Sequence, residues 1–375
     1  MIQRTLGKKI NKSFKSGFIT IIYGPRRVGK TILLKQLTEK IEDKNILWFN
    51  GDTEEAQKSL RSTSQTKLVN LVKDKSIIII DEAQRIENIA LSLKILIDTL
   101  PDKKIIVTGS SSLMLARGIQ ETLTGRTIKY RLYPLSTTEL TYNIESYKKP
   151  YLLEDQLIFG GYPYLTKLSS TKEKKDYLKS IVSDYLFRDV LLLKDISSPD
   201  TLKKLVALLS FQIGNEVSLN ELANNLGIDV KTVNRYLSLL KQSFVIFELS
   251  AFSKNLRKEV AKSKKYYFWD LGIRNAVINQ FMSLDSRTDI GNLWENFLAV
   301  ERMKKHEYSH TQRDYYFWRT YEKAEIDWIE TQEDKLSAYE FKWKPQKPHT
   351  PKAFKEMYGE ETCIISKENY LEFII

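Results

Sequence analysis

Apolar and polar positions repeat in an ordered way through the first 140 residues. Five short apolar runs, Phe18 to Tyr23, Asn45 to Phe49, Ser76 to Ile80, Lys104 to Thr108 and Thr127 to Leu132, alternate with stretches of helical periodicity. This pattern predicts a mostly parallel sheet covered by helices. The run Ile77-Ile78-Ile79-Ile80 lacks polar alternation, as a strand buried on both faces requires. Farther on, Leu152 to Phe159 and Lys172 to Leu193 read as helices around the turn Gly160-Gly161-Tyr162-Pro163. Three helical segments follow: Leu202 to Phe211, Ser218 to Leu226 and Val230 to Lys241. Ser218 and Glu221 form a capping box, and Gly227-Ile228-Asp229 supplies a tight turn, so the last two helices read as a helix-turn-helix. Phe244 to Leu249 and Tyr266 to Trp269 read as strands of a β-wing. A helix from Gly291 to Tyr308 then precedes strand-like runs at Tyr315 to Thr320, Glu325 to Ile329 and Leu336 to Trp343. The expected organisation is a nucleotide domain at 1–140, a helical lid at 141–199, a winged-helix-like domain at 200–285 and an α/β domain at 286–375.

Composition narrows this picture. A chain of 375 residues is long for one core. No apolar run approaches the roughly 18 residues of a spanning helix. The polar start from Met1 to Lys15 has no signal-like core, which predicts a cytoplasmic protein without membrane insertion. The formal charge of +12, from 59 basic and 47 acidic residues, favours a polyanionic partner. The one cysteine, Cys363, excludes an intramolecular disulfide and is expected to be a buried thiol. His306, His310 and His349 lack zinc-motif spacing and read as surface or packing residues.

The candidate chemistry begins at Gly24-Pro25-Arg26-Arg27-Val28-Gly29-Lys30-Thr31, a phosphate-binding loop between an apolar run and a helical one. Its glycines let the backbone curl around a polyphosphate, and its N–H groups favour anionic oxygens. Lys30 can reach the β- and γ-phosphates, and the Thr31 hydroxyl can hold magnesium. ATP and Mg²⁺ are therefore the expected ligands. Asp81 at the end of the isoleucine run can orient the metal opposite Thr31, and Glu82 can polarise the attacking water. Ser110, or second Thr108, can contact the water or γ-phosphate; serines before Leu113 also suit helix capping.

These residues resemble the AAA-like ATPases that carry an extra strand between the two Walker strands, which implies the sheet order 5-1-4-3-2. The chain looks more closely like prokaryotic ATPases that pair this domain with the domain of unknown function DUF4143, relatives of the signal-transduction ATPases with numerous domains. The resemblance rests on Gly24 to Thr31, Asp81-Glu82-Ala83-Gln84, Thr108-Gly109-Ser110-Ser111, Leu123-Thr124-Gly125-Arg126, and Tyr133-Pro134-Leu135-Ser136 with Glu139. It implies that Arg126 takes part in nucleotide sensing, in its own site or in that of a second copy in a homo-oligomer; the other reading is a surface arginine. Arg188 or Asp189 reads as a member of an interdomain ion pair.

On the helix-turn-helix, Lys231, Thr232, Asn234 and Arg235 would face a DNA major groove. Lys254, Arg257, Lys258, Lys262, Lys264 and Lys265 would track a phosphate backbone. Such units also serve as protein-contact modules. In the last segment, Asp327 stands in an apolar run, and Glu340 and Lys342 share one strand face. This constellation resembles restriction-endonuclease-like nucleases, a layout also reported for the end of DUF4143 ATPases. On that resemblance Asp327, Glu340 and Glu295 would bind magnesium and Lys342 would activate water. The expected function is an ATP-hydrolysing switch or motor acting on or regulated by DNA, with nuclease activity in its last domain. The alternative is a signalling ATPase whose distal domains bind protein partners and do not cut.

Overall fold

The apolar runs of the first 140 residues form parallel strands β1 (Ile19–Tyr23), β2 (Ile46–Asn50), β3 (Ile77–Asp81), β4 (Lys104–Gly109) and β5 (Thr127–Arg131). The computed structural model describes all residues except 1, 14, 40, 43–44, 110–121, 143, 187–197, 254–263, 310 and 321. The strands lie in the order β2-β3-β4-β1-β5, which is the expected 5-1-4-3-2 read from the other edge. Every pairing is parallel. All five residues of β3 are buried, as its unbroken apolar run requires. Helices α1 (Thr5–Ser13), α2 (Lys30–Thr38), α3 (Glu54–Leu60), α4 (Gln65–Val72) and α5 (Ile89–Thr99) accompany the sheet. Leu68, Ile78, Ile80, Leu93, Leu96 and Val107 belong to one core cluster between strands and helices.

The chain divides into two compact units, one of residues 1–133 with 242–244, the other of residues 134–241 and 245–375. The second unit is built on a seven-stranded sheet. Its strands are β6 (Glu216–Val217), β7 (Ile246–Ala251), β8 (Lys264–Phe268), β9 (Asp314–Arg319), β10 (Glu325–Gln332), β11 (Lys335–Phe341) and β12 (Thr362–Ile365). They are ordered β12-β11-β10-β9-β7-β8-β6. The link between its two halves is the parallel pairing of β7 with β9, Ser250 against Tyr316 and Ala251 against Phe317. Strands from the segments 200–285 and 286–375 thus share one sheet.

Helices Leu219–Leu226 and Val230–Gln242 flank a turn with Gly227 in the left-handed region. Ser218 Oγ accepts from the Glu221 backbone at 3.3 Å, and Asp229 Oδ1 accepts from the Thr232 backbone at 2.8 Å. The expected capping box is only half formed, because Glu221 Oε1 accepts from Gln212 at 3.4 Å. Helix Thr171–Ile181 widens into a π-helical turn at Val182–Leu186 instead of running on unbroken. Arg188 and Asp189 lie outside the described residues. Cys363 corrects the expectation of a buried thiol: on edge strand β12, Thr362 turns inward and Cys363 is exposed. Among the described residues, no helix is long and apolar enough to cross a membrane.

Candidate nucleotide site and a lysine-filled carboxylate cluster

Strand β1 delivers the loop Gly24 to Thr31 to the carboxyl edge of the first sheet, where α2 begins at Lys30. Gly24 is required there because a Cβ would fall 2.1 Å from the Leu132 carbonyl oxygen. Gly29 takes a left-handed conformation, φ 94°, before the first turn of α2. Arg27 is also left-handed, at φ 60°, and exposed, while Pro25 and Val28 are buried and Arg26 is half-buried. Lys30 is buried, and its Nζ donates to the carbonyls of Gly24 at 3.2 Å and Pro25 at 3.0 Å. The same ammonium stands 3.8 Å from Glu82 Oε1.

At the end of β3, Asp81 gathers this site together. Its Oδ2 accepts from the Thr31 hydroxyl at 2.6 Å, and its Oδ1 accepts from the Thr108 hydroxyl. Thr108 Oγ1 in turn accepts from the Glu82 backbone N–H at 3.0 Å. Glu82 adopts φ 52° and ψ 42°, a left-handed conformation unusual for glutamate that projects its carboxylate away from the strand direction. Its Oε2 accepts from Gln84 Nε2. Gly51 leaves room for this bend, since a Cβ there would lie 2.4 Å from the Glu82 carbonyl oxygen. The oxygen set of Thr31 and Asp81 suits a hard divalent cation, and the buried ammonium beside a glycine-flanked helix start suits a polyphosphate.

Two residues of the arrangement had no role assigned from the sequence. Gln84 orients Glu82, and the buried Arg4, just ahead of α1, donates to Val28 O and Tyr133 O, each at 2.6 Å. Arg4 carries no local signal beyond a basic start to the chain. Ser110 lies outside the described residues, so Thr108 is the polar side chain seen at this edge.

Arg126 requires a correction. Its carbonyl accepts from Ile19 N at 2.9 Å, so it sits beside the amino end of β1, whereas the phosphate loop follows Tyr23 at the other end. The four steps along β1 from Ile19 to Tyr23 separate the two edges by about 13 Å. The exposed Arg126 pairs instead with Asp98. It does not serve the phosphates of its own site.

In the second unit, Lys265 is corrected from a phosphate-tracking residue to a core cation. It is 1% exposed, between β6 and β7, with its ammonium 3.0 Å from Glu295 and 2.5 Å from Glu325. Burial alone would lower its pKa; Glu295, Glu325 and Asp327 outweigh burial and hold it above the ordinary lysine range. Lys264 is half-buried and bonds Glu248 at 2.8 Å. Lys254, Arg257, Lys258 and Lys262 lie outside the described residues. Lys231, Asn234 and Arg235 are exposed on their helix, with Thr232 half-buried.

Asp327 and Glu340 come together as neighbours on antiparallel β10 and β11, where Trp328 faces Tyr339. Lys342 Nζ lies 2.7 Å from Glu340 and 3.7 Å from Asp327, and Asp327 Oδ2 also accepts from Phe341 N at 2.8 Å. Burial, then the Asp327 charge, pushes Glu340 up to about 7 against the pull of Lys342. Burial likewise pushes Glu295 up to about 7, with Lys265 opposing and Asp327 adding. Among the described residues no group of three or more His, Cys, Asp and Glu side chains is arranged to hold a metal ion. Glu295 faces Lys265 and the Tyr267 hydroxyl, at 3.0 and 2.6 Å. Two lysines of the chain thus stand among these carboxylates.

The family model for the AAA domain matches residues 16–141, that for the domain of unknown function DUF8612 matches residues 150–284, and that for the domain of unknown function DUF4143 matches residues 290–371. An uncharacterised protein of Methanocaldococcus jannaschii is 27% identical over 308 residues, covering 76% of this chain and 67% of its own. An uncharacterised protein of Haemophilus influenzae is 24% identical over 313 residues, covering 77% of this chain and 75% of its own. Among solved structures, a signal-transduction ATPase with numerous domains and a tetratricopeptide-repeat sensor, from Pyrococcus horikoshii, aligns at 13% identity and a TM-score of 0.31. That alignment covers 81% of this chain and 46% of the other.

Proposed function

We propose that this chain, which carries an AAA domain at residues 16–141 and a DUF4143 region at residues 290–371, is a regulatory ATPase whose second unit engages a protein partner. The observation that carries the ATPase reading is the convergence of Lys30, Thr31, Asp81, Glu82 and Thr108 at one sheet edge. Lys30 exchanges its loop carbonyls for the β- and γ-phosphates of ATP. Thr31 and Asp81 hold a magnesium ion, which, when bound, neutralises charge on the phosphates. Glu82 orients the attacking water, and Gln84 fixes the direction of its carboxylate. Thr108 keeps Asp81 and Glu82 in register. Phosphate release from purified protein tests this: Lys30→Ala and Glu82→Gln should each abolish it in a folded protein, and parental turnover in both would end the proposal.

The regulatory half of the reading is supported by Lys265. Lys265, buried against Glu295 and Glu325, commits Glu295 to a lysine of the chain instead of to metal, which favours a scaffold over a nuclease; Lys342 beside Glu340 suits either reading. Incubation with magnesium and duplex or single-stranded DNA should give no cleavage beyond that of Asp327→Ala. A second reading, in which the partner is DNA, is favoured by the exposed Lys231, Asn234 and Arg235 of the winged-helix-like segment. In that reading a groove of about 480 Å³ beside Glu340 and Lys342, edged by Lys347, His349 and Lys352, receives the phosphodiester. Cleavage lost in Asp327→Ala, with binding that weakens steeply as salt rises, would favour it.

A further inference from the structure

We infer that Arg4 is a positioning residue that ties the phosphate loop to the segment that follows β5 and leaves the first unit, so that nucleotide binding is felt at Leu132–Thr137. The inference rests on the nucleotide site proposed above and adds how that site communicates.

One guanidinium holds two peptides that are remote in sequence. Nη1 donates to Val28 O, inside the phosphate loop, and Nη2 donates to Tyr133 O, the residue before the chain first passes into the second unit. Both distances are 2.6 Å, and the guanidinium charge makes both bonds charge-assisted. The peptide plane makes the Val28 bond consequential. In a trans peptide the C=O and N–H point in opposite directions, so pinning Val28 O fixes the heading of the Gly29 N–H, one of the loop donors. The Tyr133 carbonyl precedes Pro134, whose ring fixes its own φ, so that junction is stiff. Because the guanidinium is rigid and planar, the two carbonyls are held at a set separation; a lysine ammonium supplies charge without the fork.

The neighbouring contacts lead the same way. Leu6 and Ile10 of α1 are fully buried, and a Cβ on Gly7 would meet Leu33 of α2 at 3.3 Å, so Arg4 stands on a packed support. Leu132 N donates to Tyr23 O at 2.8 Å, and Leu132 O lies against Gly24. The segment after β5 therefore meets the loop at its start through Gly24 and toward its end, at Val28, through Arg4. Beyond Pro134 the backbone is gripped within the second unit. Leu135 N donates to Gly161 O at 2.7 Å, Lys304 donates to Leu135 O at 3.2 Å, and Thr137 N donates to Glu301 at 2.6 Å. A shift of Val28 or Gly24 on phosphate binding is therefore passed to Tyr133 and Leu132, the residues they touch.

Amide hydrogen exchange on the full chain, with and without a non-hydrolysable ATP analogue, tests this in the parent, Arg4→Lys and Arg4→Met. The parent should change protection across residues 132–137 on binding. Both variants should lose that response, and a fluorescent ATP analogue should bind about tenfold more weakly to Arg4→Met and about threefold more weakly to Arg4→Lys. A folded Arg4→Lys with the parental exchange response would overturn the inference, and does so even where Arg4→Met fails to fold. A parent that binds the analogue without any response at 132–137 would overturn it too, while leaving the nucleotide site standing. A parent that binds no nucleotide would remove that site and this inference together.

Discussion

Thr31 and Asp81 share a 2.6 Å hydrogen bond although one follows β1, the other ends β3, and β4 runs between those strands. Three strands must therefore end level for the metal-binding pair to exist. Thr108, near the end of β4, bonds Asp81 and the Glu82 backbone and completes that levelling.

Lys30→Ala is expected to lower ATP turnover by about 100-fold or more, because the phosphates lose their main buried cation. Circular dichroism should stay parental, since the Gly24 and Pro25 carbonyls that lose a donor lie in the loop and not in a strand or helix. Phosphate release and melting curves check both halves.

Thr108→Val should be costly in two ways. The Glu82 N–H and one Asp81 oxygen lose a partner in a buried place, which costs on the order of 1–3 kcal/mol of stability. Turnover should fall while nucleotide affinity changes little, because Glu82 loses its backbone anchor rather than its charge. Urea unfolding and a kcat-against-KM comparison would reveal a purely structural role if only stability changed.

Lys265→Met should strongly destabilise the second unit. The substitution keeps bulk but leaves Glu295 and Glu325 without their shared buried cation, a loss of about 3–5 kcal/mol. Lys265→Met with Glu295→Gln should recover part of it, measured by chemical denaturation. No recovery would mean that Lys265 acts through packing over Phe317, whose ring centre is 5.3 Å away.

His306 gives a pH dependence with a definite sign. Burial, then the Arg302, Arg313 and Lys305 charges against Glu330, push it down to about 4. The unfolded chain takes up a proton near pH 6.5 that the folded chain refuses until about pH 4. Its contribution is present above pH 6.5 and is lost as pH falls toward 4, by on the order of 2 kcal/mol. His306→Phe keeps the ring stacked against Tyr315, so its stability should fall less than the parent's between pH 7.5 and 5. Equal slopes would show that other groups govern this range.

The phosphate loop, the fully apolar β3 and the helix-turn-helix were legible because each is written in adjacent residues. The order of the first sheet came from a family resemblance and not from the pattern itself. Lys265 was misread because a run of basic residues looks like a solvated surface, while its partners Glu295 and Glu325 are 30 and 60 residues away. Which of the readings of Arg126 holds was not legible, because a motif does not tell which edge of the sheet a residue occupies. Arg4 was overlooked because its bonds go to carbonyls, which any sequence supplies. The pairing of β7 with β9 was hidden for the same reason: two short bonded segments some 65 residues apart leave no periodic trace.

That pairing governs how the protein can be dissected. A fragment stopped between the DUF8612 and DUF4143 segments would strip β7 of its neighbour and expose a raw sheet margin, ready to glue copies into aggregates. Severing at Tyr133–Pro134 breaks no β-ladder, but it leaves residues 242–244 of the first unit on the other fragment, so an expression fragment of that unit must allow for their loss.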